Sequence, residues 1–386
     1  MKTPQTNYDY IISGAGCAGL SLLYRILKEP SLNGKKILVL DSEKKDKNDR
    51  TWCFWEKENG IFQAIVKHEW RTLEFKTEKF TRQFELKHYR YKMIEGIDFY
   101  RFVLDYASEF QNVIFRTEKI VKISSSESAA TVETEENRYT SRYVFNSTPL
   151  FHPDITTKNS LLQHFTGWVI ETPTAVFDPT IGTLMDFSVH QNNGTTFMYV
   201  LPISPTEALV EYTLFSKSVL SKEKYESALK KYIDEQLKIK QYKIKHTEYG
   251  VIPMSLARFH RNPISNASVL NIGTAGGFTK ASSGYTFQFI QKNTGQIVSL
   301  LKLNKHPHIT KSVKDKRFEW YDRTLIDVIL SERLEGKEIF AKMFKKVDPE
   351  KILQFLANES KVADDLVVMS KLPVIPFFIA GMKQLL

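Results

Sequence analysis

The sequence predicts an α/β fold in which one discontinuous domain is interleaved with a mainly β domain and followed by a helical C-terminal region. Three observations predict this arrangement. The first forty residues have the pattern of a strand, a glycine-rich turn, a helix and a second strand. A buried strand, residues 269–272, comes much later and leads into a second glycine-rich turn. Beyond Tyr285 the chain has helical periodicity almost to its end.

Composition and charge exclude several classes of protein. The chain has 386 residues, of which 42% are hydrophobic and 25% charged, as is usual for a globular protein of two or three packed units. Its cysteines, Cys17 and Cys53, have neither disulfide-framework nor zinc-site spacing, so we predict no metal site. The formal net charge of +10 fits an anionic membrane surface or a merely lysine-rich composition. Because no nucleic-acid-binding motif is present, nucleic acid is not predicted as a partner.

The first element is a βαβ unit. Residues 8–12 form a short apolar run, and residues 36–40 form a second one. Apolar side chains recur at helical spacing between them. The turn that precedes this helix has the pattern GxGxxG, formed by Gly14, Gly16 and Gly19. Strand, turn and helix therefore stand in the order that a Rossmann-like dinucleotide-binding unit requires.

Each glycine of this turn has its own physical reason. Gly14 permits the tight turn, Gly16 lets the backbone approach a pyrophosphate, and Gly19 lets the helix pack closely on the strand. The helix N-terminus offers free N–H groups and a partial positive charge to phosphates. Asp41 ends the second strand, where its carboxylate is suited to a ribose diol. The predicted cofactor contacts in this unit are Gly14, Ala15, Gly16, Cys17, Ala18, Gly19 and Asp41.

A second glycine cluster follows the late strand. It contains Gly273, Gly276 and Gly277 and precedes the segment 284–287 and a helix. Two-domain flavoproteins bring such a late strand, turn and helix back to the cofactor, so these three glycines are also predicted contacts. The alternative is an ordinary helix cap. The interleaved order favours FAD over NAD as the cofactor.

The segments between the two glycine clusters define the domains. The pattern predicts strands over 51–101, a helix over 98–110, a small β meander over 114–134, a strand over 143–145, and a mainly β region over 165–250 with a helix at 222–236. The predicted FAD-binding domain comprises residues 1–60, 98–155 and 260–300, the substrate-binding β domain comprises 61–97 and 156–259, and the helical region comprises 301–386.

Four segments resemble the bacterial flavoprotein-type lycopene cyclases. They are residues 48–55 (NDRTWCFW), 184–187 (LMDF), 197–213 (FMYVLPISPTEALVEYT), and 273–277 (GTAGG) together with 283–287 (SGYTF). The third segment is the most specific. Together they are spread over most of the chain, although residues after about 302 match the family only loosely.

The resemblance implies a fold like that of the aromatic hydroxylases and geranylgeranyl reductases. It implies reduced FAD with NAD(P)H as reductant, membrane association, and lycopene or a related linear carotenoid as substrate. The implied activity is that of a lycopene beta-cyclase, an isomerase that forms beta-carotene by way of gamma-carotene without net redox change. The family's catalytic acid falls on Glu211, and Arg50 of the first segment becomes a candidate cofactor contact.

The residues themselves support an acid at this position. Glu211 stands in an apolar strand, where burial would raise its pKa and keep it protonated for general acid catalysis; the alternative is an outward-facing glutamate. Asp186 is a second catalytic candidate, with an edge-strand aspartate as the alternative. A reduced, negatively charged flavin beside the substrate would stabilise a developing cation. Aromatic candidates for a polyene tunnel, or for ordinary core packing, are Trp52, Phe54, Trp55, Trp168, Phe197 and Tyr199.

The C-terminal region indicates where in the cell the protein is expected to lie. Residues 337–346 form a basic amphipathic helix that either docks on a membrane or packs on its own protein. Residues 1–10 lack a signal-peptide pattern, and the apolar stretch 372–382 is too short to span a bilayer. We therefore expect a cytoplasmic protein at the inner face of the cell membrane. The rival functions are a flavin monooxygenase or prenyl reductase of the same fold, and a non-catalytic isoprenoid-binding relative.

Overall fold

The computed structural model describes residues 6–126, 129–264 and 268–385. Its strands are β1 (Thr6–Ser13), β2 (Ile37–Asp41), β3 (Thr51–Glu56), β4 (His68–Trp70), β5 (Thr72–Thr77), β6 (Phe80–Glu85), β7 (Arg90–Glu95), β8 (Val113–Thr117), β9 (Ile120–Ser125), β10 (Ala130–Thr134), β11 (Arg138–Asn146), β12 (Ser160–Glu171), β13 (Ile181–Asp186), β14 (Thr195–Ser204), β15 (Glu207–Ser216), β16 (Lys243–Ser255) and β17 (Val269–Asn271). Its helices are α1 (Cys17–Lys28), α2 (Gly96–Ser108), α3 (Lys222–Glu235), α4 (Phe287–Lys302), α5 (Val313–Leu330), α6 (Gly336–Lys346), α7 (Pro349–Leu356), α8 (Val362–Met369) and α9 (Val374–Lys383).

The first sheet has the strand order β8-β2-β1-β11-β10-β9, with β17 paired to β11. β8, β2, β1, β11 and β17 are mutually parallel, whereas β10 and β9 are antiparallel to their neighbours. Ile11 and Ile12 are fully buried on opposite faces of β1, as expected for a parallel strand covered on both sides. Each such side chain stabilises the fold by about 1.5–3 kcal/mol.

One part of the predicted topology is wrong. Residues 114–134 do not form one meander, because β8 pairs with β2 at the far edge of the sheet while β9 and β10 extend the opposite edge. The sequence of β8 does not indicate which strand it pairs with, because strand periodicity carries no information on pairing partners. Residues 127 and 128, within the predicted meander, lie outside the described residues.

The second sheet has the order β16-β12-β15-β14-β13-β5-β6 and is antiparallel except at the β13–β5 pair. Helix α3 covers one face, where Val210 and Tyr212 of β15 pack on its buried side chains. The other face packs on a small sheet of order β3-β7-β4 and on the C-terminal helices. The predicted domain boundaries stay a prediction, but these sheets position the site described below.

Helices α5 to α9 form the C-terminal region. Helix α6, the basic amphipathic segment of the sequence, turns its apolar side inward: Phe344 lies 4.4 Å from Phe75 between ring centroids, and Phe340 packs on Phe187. Its apolar face is therefore not a membrane-docking surface, and packing on its own protein, the alternative left open by the sequence, is what the structure shows. Within the described part of the chain, no helix combines the length and the apolarity needed to cross a bilayer.

Candidate active site

The glycine turn after β1 brings strand, helix and a later loop into close contact. Gly14 has φ +104°, and a Cβ there would lie 2.3 Å from the Ser147 Oγ. A Cβ on Gly19 would lie 2.0 Å from the Gly14 carbonyl oxygen, so only glycine permits the approach of α1 to this turn. A Cβ on Gly16, by contrast, meets no atom within 4 Å. Gly16 thus faces open space at the start of α1.

Asp41 holds this turn against the end of β2. Its Oδ2 accepts a hydrogen bond from the Ala15 backbone N–H at 2.7 Å, and its Oδ1 accepts one from the Glu43 N–H at 3.0 Å. Lys45 lies 3.2 Å from the same carboxylate. The carboxylate therefore fixes the loop geometry at the place where the sequence predicted a ribose contact.

A cavity of about 680 Å³ joins the glycine turn to the inner face of the second sheet. Gly16, Cys17 and Ala18 line it on the side of the first sheet. Arg50 also lines it; the guanidinium pairs with Asp49 at 2.8 Å, and this neighbour is one cause of its raised pKa. Burial raises the pKa of the Cys17 thiol to about 12, so this cysteine is an uncharged part of the cavity wall.

Two glutamates meet on the opposite wall. Glu211 of β15 and Glu248 of β16 both stand opposite Gly167 of β12, the strand between them. A Cβ on Gly167 would lie 3.0 Å from Glu248 Cγ and 3.0 Å from the nearest atom of Leu209. Because glycine leaves this space open, the carboxyls of the two flanking strands interact directly across β12. We call Glu211 and Glu248 the carboxyl pair.

Burial and mutual repulsion set the protonation of the carboxyl pair. Burial is the main cause that raises the pKa of Glu211 well above its usual range, and repulsion by Glu248 adds to it. The Thr213 hydroxyl donates a hydrogen bond to Glu211 Oε1 at 2.6 Å. Burial also raises the pKa of Glu248, but contacts with Thr51 and Glu211 oppose that effect. Glu211 is thus the member that holds a proton near neutral pH.

Phenols and a thiol surround the carboxyl pair. The Tyr199 and Tyr285 hydroxyls lie 3.5 Å apart, and both line the cavity together with Tyr91. Burial raises the pKa of Tyr285 to about 12, and it also raises the pKa values of Tyr91 and Tyr199 well above their usual range. Burial likewise raises the pKa of the Cys53 thiol, with Glu211 and Glu248 as additional causes. These groups are neutral at physiological pH, which leaves the carboxyl pair as the acid of this wall.

The structure does not bring Asp186 to the cavity. Asp186 pairs with Met198, whose side chain belongs to the core under α3, and its Oδ2 accepts a hydrogen bond from the Tyr232 hydroxyl of α3 at 2.6 Å. Trp168 lies in the same core, on the face of β12 opposite to that of Gly167. Asp186 is therefore not a second acid of this site, and Trp168 does not line it.

The other aromatic candidates divide between cavity and core. Trp52 and Tyr199 line the cavity. Phe54 stacks on Phe287 at 4.4 Å within the core of the first sheet. Phe197 packs with Phe187 and Phe215 beneath α6, and the Trp55 indole N–H donates to the Leu353 carbonyl in the buried core. For Phe54, Phe197 and Trp55, core packing is the observed role.

The second glycine cluster contributes Gly273 and Thr274 to the cavity. Gly273, with φ +60°, lines it, and a Cβ there would lie 2.9 Å from the Ala18 Cβ, so the two glycine turns touch. A Cβ on Gly276 would lie 2.3 Å from the Asn271 carbonyl oxygen, which makes Gly276 a packing position. Gly277, with φ +70°, ends the turn and lines a separate cavity of about 140 Å³.

Sequence reasoning missed Glu248. Its strand, β16, has no alternation that marks Glu248 as buried, and only the register with β12 shows that it faces Glu211 across Gly167. The signal available was the glycine itself, since a glycine inside a strand indicates a close approach by a neighbour. Tyr91 and Tyr285 were missed because their place on the cavity wall also depends on how distant segments pack.

The sequence matches the model of the lycopene cyclase protein family over residues 9–382. The lycopene beta-cyclase of Pantoea ananas is 25% identical over 221 residues, which cover 54% of this chain and 52% of that protein. The match thus spans about half the length of this relative.

Two solved structures share the fold. A geranylgeranyl bacteriochlorophyll reductase-like protein from Thermoplasma acidophilum superposes with a TM-score of 0.60 at 12% identity and covers 99% of both chains. A flavoprotein/dehydrogenase from Cytophaga hutchinsonii gives a TM-score of 0.64 at 14% identity, covering 98% of this chain and 99% of that one. The predicted fold class is confirmed, and so is the resemblance seen in the sequence. The match over nearly the whole chain shows that this protein belongs to the lycopene cyclase family.

Proposed function

We propose that the protein is a lycopene beta-cyclase, which closes a ring at the end of a linear carotenoid by acid–base catalysis beside reduced FAD. One observation carries the proposal: a single cavity is lined both by the glycine turn and by Glu211, a carboxyl whose pKa is raised well above its usual range by the loss of solvent around it. Family membership supports the substrate class. The cyclisation itself transfers no net electrons and so cannot reduce the flavin. NAD(P)H is therefore proposed as the external reductant.

The residues of the cavity fit FAD. Gly16 leaves open space at the N-terminus of α1, and no side chain of the described residues caps that helix end, so its backbone N–H groups can bind the pyrophosphate. Arg50 and Gly273 border the same space. When bound in its reduced form, FAD supplies negative charge that stabilises a carbocation nearby.

The chain's own residues supply the proton and the dry surroundings. Glu211 holds a proton that burial keeps on the carboxyl, and the Thr213 hydroxyl fixes the orientation of this carboxyl by its hydrogen bond. Trp52 and Tyr199 provide flat apolar surface for a polyene, and an aromatic face also tolerates a developing positive charge. Ring closure needs a proton donor and shelter for the cation, and this wall offers both.

The alternative is a flavin monooxygenase or a prenyl reductase, because the fold also occurs in redox flavoproteins. A non-catalytic isoprenoid carrier is a third candidate. Neither alternative requires a buried acid in the cavity, which is why the carboxyl pair favours the cyclase. A redox enzyme would change the mass of lycopene, whereas a cyclase would change its structure at constant mass and a carrier would leave it unchanged.

The decisive experiment is anaerobic incubation of the FAD-loaded protein with NADPH and lycopene in lipid vesicles. We expect a product of the same mass as lycopene with cyclic ends, because the reaction only redistributes protons and bonds. Chromatography coupled to mass spectrometry measures this. A product that has gained hydrogen or oxygen would establish a redox enzyme instead, and complete recovery of unchanged lycopene bound to the protein would establish a carrier.

We further propose that helices α8 and α9 dock the protein on the inner face of the cell membrane. They carry eight of the twenty large apolar side chains that are exposed in the described part of the chain. On α9 these side chains follow helical spacing and form one stripe, which includes Ile375 (72% exposed) and Phe378 (66% exposed), while Ala380 faces the protein. Lys361 and Lys371, which directly precede α8 and lie between α8 and α9 in the chain, are exposed. Apolar side chains flanked by lysine suit an anionic lipid surface.

The double variant Ile375→Asp with Phe378→Asp tests this docking surface. Burial of the two side chains in lipid is worth about 3–6 kcal/mol, so we expect binding to anionic vesicles to fall by more than ~10²-fold. Co-flotation with the vesicles measures it, and Leu303→Asp, at an equally exposed residue beyond α4, is the matched control. Unchanged flotation would contradict the proposal. If the wild type self-associates and only that association is lost, the surface is an interface between copies.

A further inference from the structure

The carboxyl pair has a feature that a single acid would not need. Glu248 is 3% exposed, and its Oε2 atom is buried without a hydrogen-bond donor among the described residues. A buried carboxylate oxygen without a donor costs free energy unless a proton lies on it or beside it. Glu211 is the titratable group that faces it across Gly167.

We infer that Glu248 is the proton partner of Glu211: the two carboxyls share one proton across Gly167, and this pair both delivers the proton that starts ring closure and recovers the proton that ends it. The inference rests on the proposed cyclase function and deepens it. Glu248 acts through Glu211 and is therefore a positioning residue. Gly167 is the structural condition for the shared proton.

The chemistry balances without an oxidant or a reductant. The O–H bond of Glu211 breaks, and its proton forms a C–H bond at the terminal double bond of the polyene. The neighbouring carbon becomes cationic, and a second double bond closes the ring by forming a C–C bond. A C–H bond next to the new cation then breaks, and its electrons form the ring double bond. That proton returns to the anionic carboxyl pair, which is ready for the next ring.

Two like charges in one buried site cannot both ionise readily, which is the physical reason for such a pair. After Glu211 gives up its proton, the site holds two adjacent carboxylates, and their repulsion makes the pair a strong base. Before that, the same repulsion keeps Glu211 protonated. The other titratable groups that face the pair are Cys53 on β3, Tyr91 on β7, Tyr199 on β14, His246 on β16 and Tyr285.

Infrared spectroscopy of the flavin-free protein tests the shared proton independently of activity. The wild type is expected to show the C=O band of a protonated carboxyl at neutral pH. In Glu248→Gln the negative neighbour is gone, so the pH at which this band disappears should fall by about one unit or more. The double variant with Glu211→Gln should lack the band, and Glu207→Gln, a change on β15 outside the cavity lining, should leave it unchanged.

The pH dependence of cyclisation gives the second readout. Loss of repulsion lowers the pKa of Glu211, so the alkaline limb of the rate profile in Glu248→Gln should move to lower pH and the rate at neutral pH should fall by about tenfold or more. Gly167→Ala adds a methyl group 3.0 Å from Glu248 Cγ, which displaces the Glu248 side chain, and should shift both readouts in the same direction, even if Glu248→Gln does not fold.

The outcomes separate the two proposals. If the wild type does not cyclise lycopene but the band shifts as described, the function is wrong and the shared proton stands. If the wild type cyclises lycopene while the band and the rate profile are the same in Glu248→Gln and Gly167→Ala, the proton partnership is overturned.

Discussion

Replacing Glu211 with glutamine is expected to lower the rate of cyclisation by about 10²- to 10⁴-fold, the usual contribution of a general acid. Glutamine keeps the shape of a protonated glutamate and can still accept the hydrogen bond from the Thr213 hydroxyl. It has no proton acidic enough to protonate a double bond. Turnover of lycopene under anaerobic reducing conditions measures the loss.

Flavin content and folding should not change in this variant, because residue 211 lies on the wall of the cavity opposite to the glycine turn. Glu207→Gln is the matched control: it lies four residues earlier on β15, where it pairs with Lys245 at 2.6 Å at the edge of the strand. A Glu211→Gln protein that cyclises lycopene at the wild-type rate would remove this residue from the mechanism.

Replacing Gly16 with valine is expected to abolish FAD binding. The N-terminal end of α1 has an extended backbone at Gly16, with φ −82° and ψ −168°, so valine introduces no strain there. Its side chain would instead occupy the open space in which a pyrophosphate must approach the backbone N–H groups. The purified variant should be colourless, and titration with FAD should show no binding.

Gly34→Val is the control for this experiment. A Cβ on Gly34 would likewise meet no atom within 4 Å, but this glycine lies in the exposed turn between α1 and β2. We expect the control variant to bind FAD normally, and both variants should unfold with a free energy within about 1 kcal/mol of the flavin-free wild type. A yellow, fully loaded Gly16→Val protein would contradict the proposed phosphate contact.

The glycine turn could be predicted from the sequence because each glycine satisfies a requirement of the local backbone geometry. Gly14 and Gly273 adopt positive φ, and Gly19 excludes any side chain, so residue type and backbone geometry are tied together over a few positions. The fold class followed from the same local patterns. Glu211 was predicted through the family resemblance, and its position on the cavity wall agrees with the apolar sequence around it.

The pairing of strands could not be predicted in the same way. A residue's face within a sheet depends on register, and β13 contains an irregularity between Thr183 and Asp186 that decides where Asp186 points. Glu248 reaches Glu211 only because β12, the strand between β15 and β16, carries Gly167 opposite both glutamates. Such a relation involves three distant segments and leaves no local pattern.

The partner of an amphipathic helix is equally hidden in its sequence. Helix α6 has the stronger basic amphipathic pattern, yet its aromatic side chains fill the space under the second sheet. Helices α8 and α9, with few charges, keep their apolar stripe exposed. Periodicity identifies an apolar face, but the shape of the rest of the protein decides what covers it.

The late strand β17 has a consequence for the order of events during translation. It pairs with β11, and the turn after it brings Gly273 against Ala18 at the start of α1. A nascent chain that has left the ribosome only as far as the second sheet still lacks this wall of the cavity. The first sheet therefore stays incomplete, with part of β11 unpaired, until residues 269–273 leave the ribosome. We expect such an exposed strand edge to be a binding site for a chaperone during synthesis.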